Sequence, residues 1–257
     1  MTGIVAISGL LTIIFFPEPL FANKLEHGQF KVYSNNKIDK DIELVLDNSI
    51  NLIKRSELYD PTNSYDIFLG YNSFFNEIDN TFLGNGPTAR ATDNNILIKA
   101  HIDSKRNLVF PTFYQNCEAN LSYIIAHEMI HCLQEIRYGK LKFNPFRHPE
   151  YWKLEGYPEY ISRQIKLLGK DYDLIKEIER YIDLESSSTD GWIAIEEGGC
   201  KAPKYYYKSR LMMEYLIDIK RFSYDKVLAD TISEDRIYTE MMNWKDEVQV
   251  KRHVISN

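Results

Sequence analysis

The chain has 257 residues, of which 44% are hydrophobic and 26% charged, with a formal net charge of −6. This is long enough to bury a sizeable core and excludes a disordered or collagenous chain. The acidic surplus, with Lys and Arg scattered, gives no electrostatic basis for a nucleic-acid partner.

Residues 4–16 form an apolar run that stops at Pro17. The run is short for a membrane span and suits the core of a signal peptide, with Leu20-Phe21-Ala22-Asn23 as a cleavage context, although a positive n-region is missing. Residues 1–23 are therefore expected to be a signal peptide or a short membrane anchor, which places the remainder outside the cytoplasm, secreted, periplasmic or membrane-associated. Phe30–Tyr33 alternates as a strand, and the apolar spacing from Asp39 to Ser56 predicts a helix. A loop at Asp60–Ser64 leads to a strand at Tyr65–Leu69. Phe74–Leu83 is ambiguous, and residues 84–87 are a turn cluster. Asn95–Ile102 reads as one strand, and as a sheet edge it would let a peptide add as another strand. His101 on that strand has an ordinary polar-face place by alternation, without a metal role.

Asn116–Asn120 offers helix-starting residues, and Gly139 sits where a helix would end. Between them Tyr123-Ile-Ile-Ala-His-Glu-Met-Ile-His-Cys-Leu-Gln134 carries an HExxH pattern inside an apolar run. Residues four apart share a helix face, so His127 and His131 can converge on one Zn²⁺ while Glu128 points beside them at a water. Neutral imidazoles suit zinc, and a carboxylate beside the metal can act as general base and acid. Burying these three groups among Ile124, Ile125, Met129, Ile130 and Leu133 is costly without a metal or partners. The three cysteines, Cys117, Cys132 and Cys200, match no CxxC metal clip and admit at most one bridge; Cys132 reads as a buried structural thiol.

Two histidines need a further ligand, and the stretch His148–Tyr160 offers Glu150, Glu155 and Glu159. Here Trp152-Lys-Leu-Glu-Gly-Tyr-Pro-Glu-Tyr160 resembles the Trp-x-x-Glu-Gly-x-Ala-x-Tyr segment of the gluzincin zinc metallopeptidases, the thermolysin-like and membrane-aminopeptidase-like clan. The resemblance implies Glu155 as third zinc ligand, although Glu150 sits at the spacing usual in the aminopeptidases. Pro158 stands where the family has Ala, so the ligand helix is expected to begin near Glu155. Glu159 could share the face of Glu155 and orient a ligand histidine. Gly191–Cys200 reads as a loop near the cleft. Tyr206-Tyr-Lys-Ser209 and the apolar helix after it resemble the family's Tyr-x-Lys-Gly segment, which implies Tyr206 as oxyanion donor, with Tyr205 and Tyr207 as close rivals. Leu211–Ile219 reads as a core helix, Ser223 as the cap of another, and the tail from Lys245 as polar.

The resemblance covers roughly Leu121 to Leu228. It implies an α+β, zincin-like fold in which a mixed N-terminal sheet precedes the active-site helix and a mostly helical C-terminal half, as one domain over residues 24–257. The function it implies is zinc-dependent hydrolysis of a peptide or protein substrate. The Gly-x-Met-Glu-Asn element that holds a free amine in the aminopeptidases is absent, so an exopeptidase is not implied. The alternatives are a non-catalytic binding or scaffold protein with the same fold, against which the intact Glu128 argues, and an enzyme whose HEMIH is an ordinary buried helix segment.

Overall fold

A computed structural model of the chain describes residues 17–83, 87–111, 117–140, 143, 148–167, 172–194 and 200–256. It is α+β with a mixed sheet, and about half of the chain is helical. The chain divides into two compact units, Met1–Phe143 with Glu196–Cys200, and Asn144–Ile195 with Lys201–Asn257.

The first unit is built on a five-stranded sheet in the order β1-β2-β3-β5-β4: β1 (Asn23–His27), β2 (Phe30–Ser34), β3 (Tyr65–Leu69), β5 (Asn95–Ile98) and β4 (Ala89–Thr92). β2, β3 and β5 run parallel, and β1 and β4 pair antiparallel at the two edges. The parallel strands are buried on both faces, so they read as nearly continuous apolar runs. The register lines up Val32, Ile67 and Ile96 on one face and Tyr33, Phe68 and Leu97 on the other. Tyr33, Phe68 and Leu97 cluster with Phe75 of α2 (Phe74–Leu83), which settles the ambiguous stretch as helix. Leu20 and Phe21 pack against the same cluster, so the proposed cleavage context leads directly into β1; residues 1–16 lie outside the described residues. Among the described residues no helix is long and apolar enough to cross a membrane.

The expected strand Asn95–Ile102 breaks in two. β5 ends at Ile98, and β6 (His101–Asp103) joins β7 (Leu108–Phe110) and β8 (Ala119–Asn120) in a second sheet. β5 is also no edge, because β3 and β4 flank it; β4 takes that place. Buried Ile96, Leu97 and Ile98 account for the interior position.

The predicted N-terminal helix forms as α1 (Ile42–Ile53), and it meets α3 (Leu121–Tyr138) through two small side chains. Ser49 Oγ lies 3.2 Å from Ser122 O and Ser122 Oγ 3.2 Å from Val45 O, and each has a nearer acceptor, Val45 O (2.8 Å) and Asn107 Oδ1 (2.9 Å), so both hydroxyls are satisfied where the helices approach. Asn120 caps α3 by accepting from Tyr123 N (3.1 Å), and Gly139, at φ +87°, ends it as the sequence predicts. Cys117 and Cys200 form a disulfide, which realises the single bridge that the count allows; Cys132 is buried and free.

The second unit comprises α4 (Tyr151–Leu167), α5 (Leu174–Ser187), the β9–β10 hairpin (Trp192–Ala194, Lys201–Pro203), α6 (Lys204–Glu214), α7 (Tyr224–Ala229) and α8 (Glu234–Ser256). A π-type turn, Tyr215–Ile219, continues α6. Ser223 caps α7 as expected, accepting from Lys226 N (3.2 Å), and the polar tail is the end of α8. α4 departs from expectation: it begins at Tyr151, before Glu155, and Pro158 lies inside it. An interior proline costs a helix about 3 kcal/mol. Packing overrides this, since Trp152, Gly156, Tyr157, Pro158 and Tyr160 are all buried. Tyr157 stacks on Tyr224 (3.9 Å between centroids), and a Cβ on Gly156 would stand 2.7 Å from Ser209 O of α6. That contact explains why position 156 is glycine and why the facing residue is small.

Gly156→Val is expected to force α4 from α6 and lower stability by about 1–3 kcal/mol, read as a fall in urea midpoint. The bridge closes a loop with a sequence separation of 83. Cys117→Ser is expected to cost about 4 kcal/mol, and added reductant should lower the wild-type midpoint to the same value.

Candidate metal centre

The centre starts on α3. With its cap and its end fixed, the four-residue spacing puts His127 and His131 on one helix face. Their Nε2 atoms lie 3.1 Å apart, with ring centroids at 4.8 Å. Two nitrogens held by one tetrahedral ion at about 2.05 Å would be about 3.3 Å apart. His131 Nδ1 lies 2.8 Å from Gln134 Oε1. A side-chain carbonyl only accepts, so Nδ1 carries the proton and Nε2 presents its lone pair. Gln134 is fully buried and one turn on from His131. Glu159 is expected from the sequence in such an orienting role; the residue that lies against His131 Nδ1 is Gln134, whose i+3 spacing is the only signal for it.

The ligand atoms of His127, His131 and Glu155 all lie within 4.8 Å of one another, and none of the three residues is exposed. This cluster could hold a metal ion: two imidazole nitrogens and one carboxylate oxygen are a donor set that suits a divalent transition metal. Glu150 and Glu159 are not part of it. Glu150 Oε2 accepts from Trp152 Nε1 (2.5 Å), and its carbonyl accepts from Lys153 N and Leu154 N at the start of α4. Glu159 pairs with Arg163 one turn along the same helix (2.5 Å). The chain matches no family model, no curated protein and no solved structure.

Glu128 is buried beside the two histidines on α3. Cys132 next to His131 is fully buried, and burial first, then the charge of Glu128, pushes its thiol well above the ordinary range. It is therefore a protonated structural thiol at neutral pH. His101, exposed on β6, lies against Tyr71 and Phe110 rather than in the cluster.

The tyrosine triplet opens α6 directly after Pro203. Tyr207 is buried and donates to Glu177 (2.5 Å), and burial pushes its hydroxyl up to about 12. It belongs to a buried network in which Arg210 pairs with Glu177 (3.0 Å) and Glu214 (3.2 Å). Tyr205 and Tyr206 stack on each other at 4.4 Å. Burial chiefly, and then the Glu155 carboxylate, raises the Tyr206 hydroxyl well above its ordinary value; Tyr205 is raised by burial as well. Tyr206 thus stays protonated, as a hydrogen-bond donor must, and feels the charge of Glu155.

Gln134→Leu keeps the side-chain volume but removes the acceptor for His131 Nδ1. Affinity for zinc, measured by competition with a chromophoric chelator, is expected to fall about 10–100-fold. The circular-dichroism spectrum should be unchanged.

Proposed function

We propose that the chain is a zinc-dependent peptide hydrolase of gluzincin type, with His127, His131 and Glu155 as ligands. The observation that carries this reading is the cluster of three ligand atoms within 4.8 Å, two of them flanking a buried glutamate on the same helix. A purely structural site would need no such base and would close its fourth position with another side chain.

Zinc, when bound, supplies Lewis acidity that brings the pKa of a water near neutrality and polarises a carbonyl. The chain supplies the rest. Glu128 takes the proton of the attacking water and returns it to the leaving amine. Tyr206 donates its hydroxyl hydrogen bond to the oxygen on which negative charge develops, and Gln134 holds the His131 tautomer. β4 is the last strand of its sheet among the described residues, and an extended substrate adding beside it would be recognised through its backbone. The Cys117–Cys200 bridge supports an oxidising, extracytoplasmic location.

Elemental analysis of the purified chain is expected to find one zinc in the wild type and in Glu150→Ala, and none in Glu155→Ala. Glu128→Gln should keep the zinc and lose cleavage of a peptide library by about 10²-fold or more. A metal-free wild type, or full activity in Glu128→Gln, would overturn the reading.

A further inference from the structure

The carboxyl ends of β2, β3 and β5 open on a cavity of about 420 Å³ in the first unit. Crevices at this end of parallel strands are where open sheets bind ligands, and the volume falls within the usual range for small molecules. None of its lining residues belongs to the metal cluster, so the inference does not depend on the hydrolase reading.

One wall is aromatic. His101 lies between Tyr71 (5.6 Å, edge-on) and Phe110 (5.4 Å, tilted). Tyr71 is 43% exposed, so much of its ring stays in water. The turn that presents it is tightly built. A Cβ on Gly70 would stand 2.4 Å from Leu97 Cδ1, Ser73 Oγ donates to Gly70 O (2.7 Å), and Asn72 takes a left-handed φ of +56°. Asparagine takes this conformation readily, so the turn presents Tyr71 in one fixed place. The polar lining carries both signs of charge. Lys37, exposed on the β2–α1 loop, makes no ion pair with a described residue. Asp39 and Asp103 accept from Asp41 N and Arg106 N at 3.1 Å each through Oδ1, and Asp103 Oδ2 also lies 4.0 Å from the half-exposed Arg106 guanidinium, so both carboxylates keep an oxygen for a ligand, that of Asp103 shared with Arg106.

We propose that this cavity binds a free α-amino acid with an aromatic or large apolar side chain. The α-carboxylate meets Lys37, the ammonium meets Asp39 and Asp103, and the side chain covers Tyr71, His101 and Phe110. A lone anion would leave two carboxylates facing it, and a lone cation would leave Lys37 facing it; a zwitterion satisfies both.

Titration calorimetry of the full chain with L-phenylalanine, N-acetyl-L-phenylalanine and L-phenylalaninamide tests this. Saturable binding of the zwitterion is expected, weakened about tenfold or more in each analogue, because each lacks one charge. Tyr71→Ala and Lys37→Ala, both at exposed positions, should weaken L-phenylalanine by a similar factor with melting temperature unchanged. Equal binding of all three compounds, no saturable heat up to the solubility of L-phenylalanine, or binding unaffected by Tyr71→Ala would each overturn the proposal.

Discussion

The constraint on which the candidate centre depends is the facing of two imidazoles at 3.1 Å on α3. Nitrogen lone pairs at that distance repel unless a proton or a cation lies between them, and the helix holding them is mostly buried. The rest of the first unit fixes that helix. Its start is capped by Asn120 and its end is released by Gly139, while Ser49 and Ser122 seat it on α1. Its C-terminal turn is tied to the β4–β5 turn, where Asp93 N donates to Glu135 Oε2 (2.8 Å). Together these features set where the two rings stand.

The second unit solves a different problem, which is to keep an α4 containing proline straight enough to present Glu155 on its surface. It does so by close packing along the helix. Gly156 lets α4 lie against Ser209, Tyr157 stacks on Tyr224, and Tyr160 donates to Asp218 (2.8 Å). The buried Arg210 with Glu177, Glu214 and Tyr207 locks the next turn of α6. A buried ion network of this kind adds little net stability but fixes orientation. Its effect is to divide three consecutive tyrosines: Tyr207 turns inward to the network, and Tyr206 is left beside the Glu155 charge.

Much of this was legible in the sequence because it is local. Apolar spacing marked α1, β2, β3 and α3; Asn116–Asn120 and Gly139 marked the two ends of α3 and Ser223 the start of α7, since a cap reads only its nearest residues. The His127 and His131 facing follows from helical period alone. What could not be read depends on distant partners. The start of α4 is set by what Trp152 and Tyr157 pack against, so Pro158 misled the boundary. The break after Ile98 is set by which sheet each half pairs with, and an apolar run cannot reveal that. The spacing of Gln134 from His131 is visible in the sequence, but an amide among apolar residues carries no chemical signature until its partner is known. Glu155 over Glu150 came from context rather than count, and the structure places Glu155 with the histidines while Glu150 bonds Trp152.

The bridge has a consequence for how the chain reaches this state. Three cysteines allow three single pairings, of which only Cys117–Cys200 is native. Its loop spans α3, so during oxidation Cys132 lies within the segment being closed and competes for both partners. What removes Cys132 from that competition is burial: once α3 docks on α1 and the sheet, its thiol is shut from solvent and held protonated. Burial of one sulfur thus selects the native pair wherever α3 is docked, and the packing of this helix and the choice of disulfide are coupled.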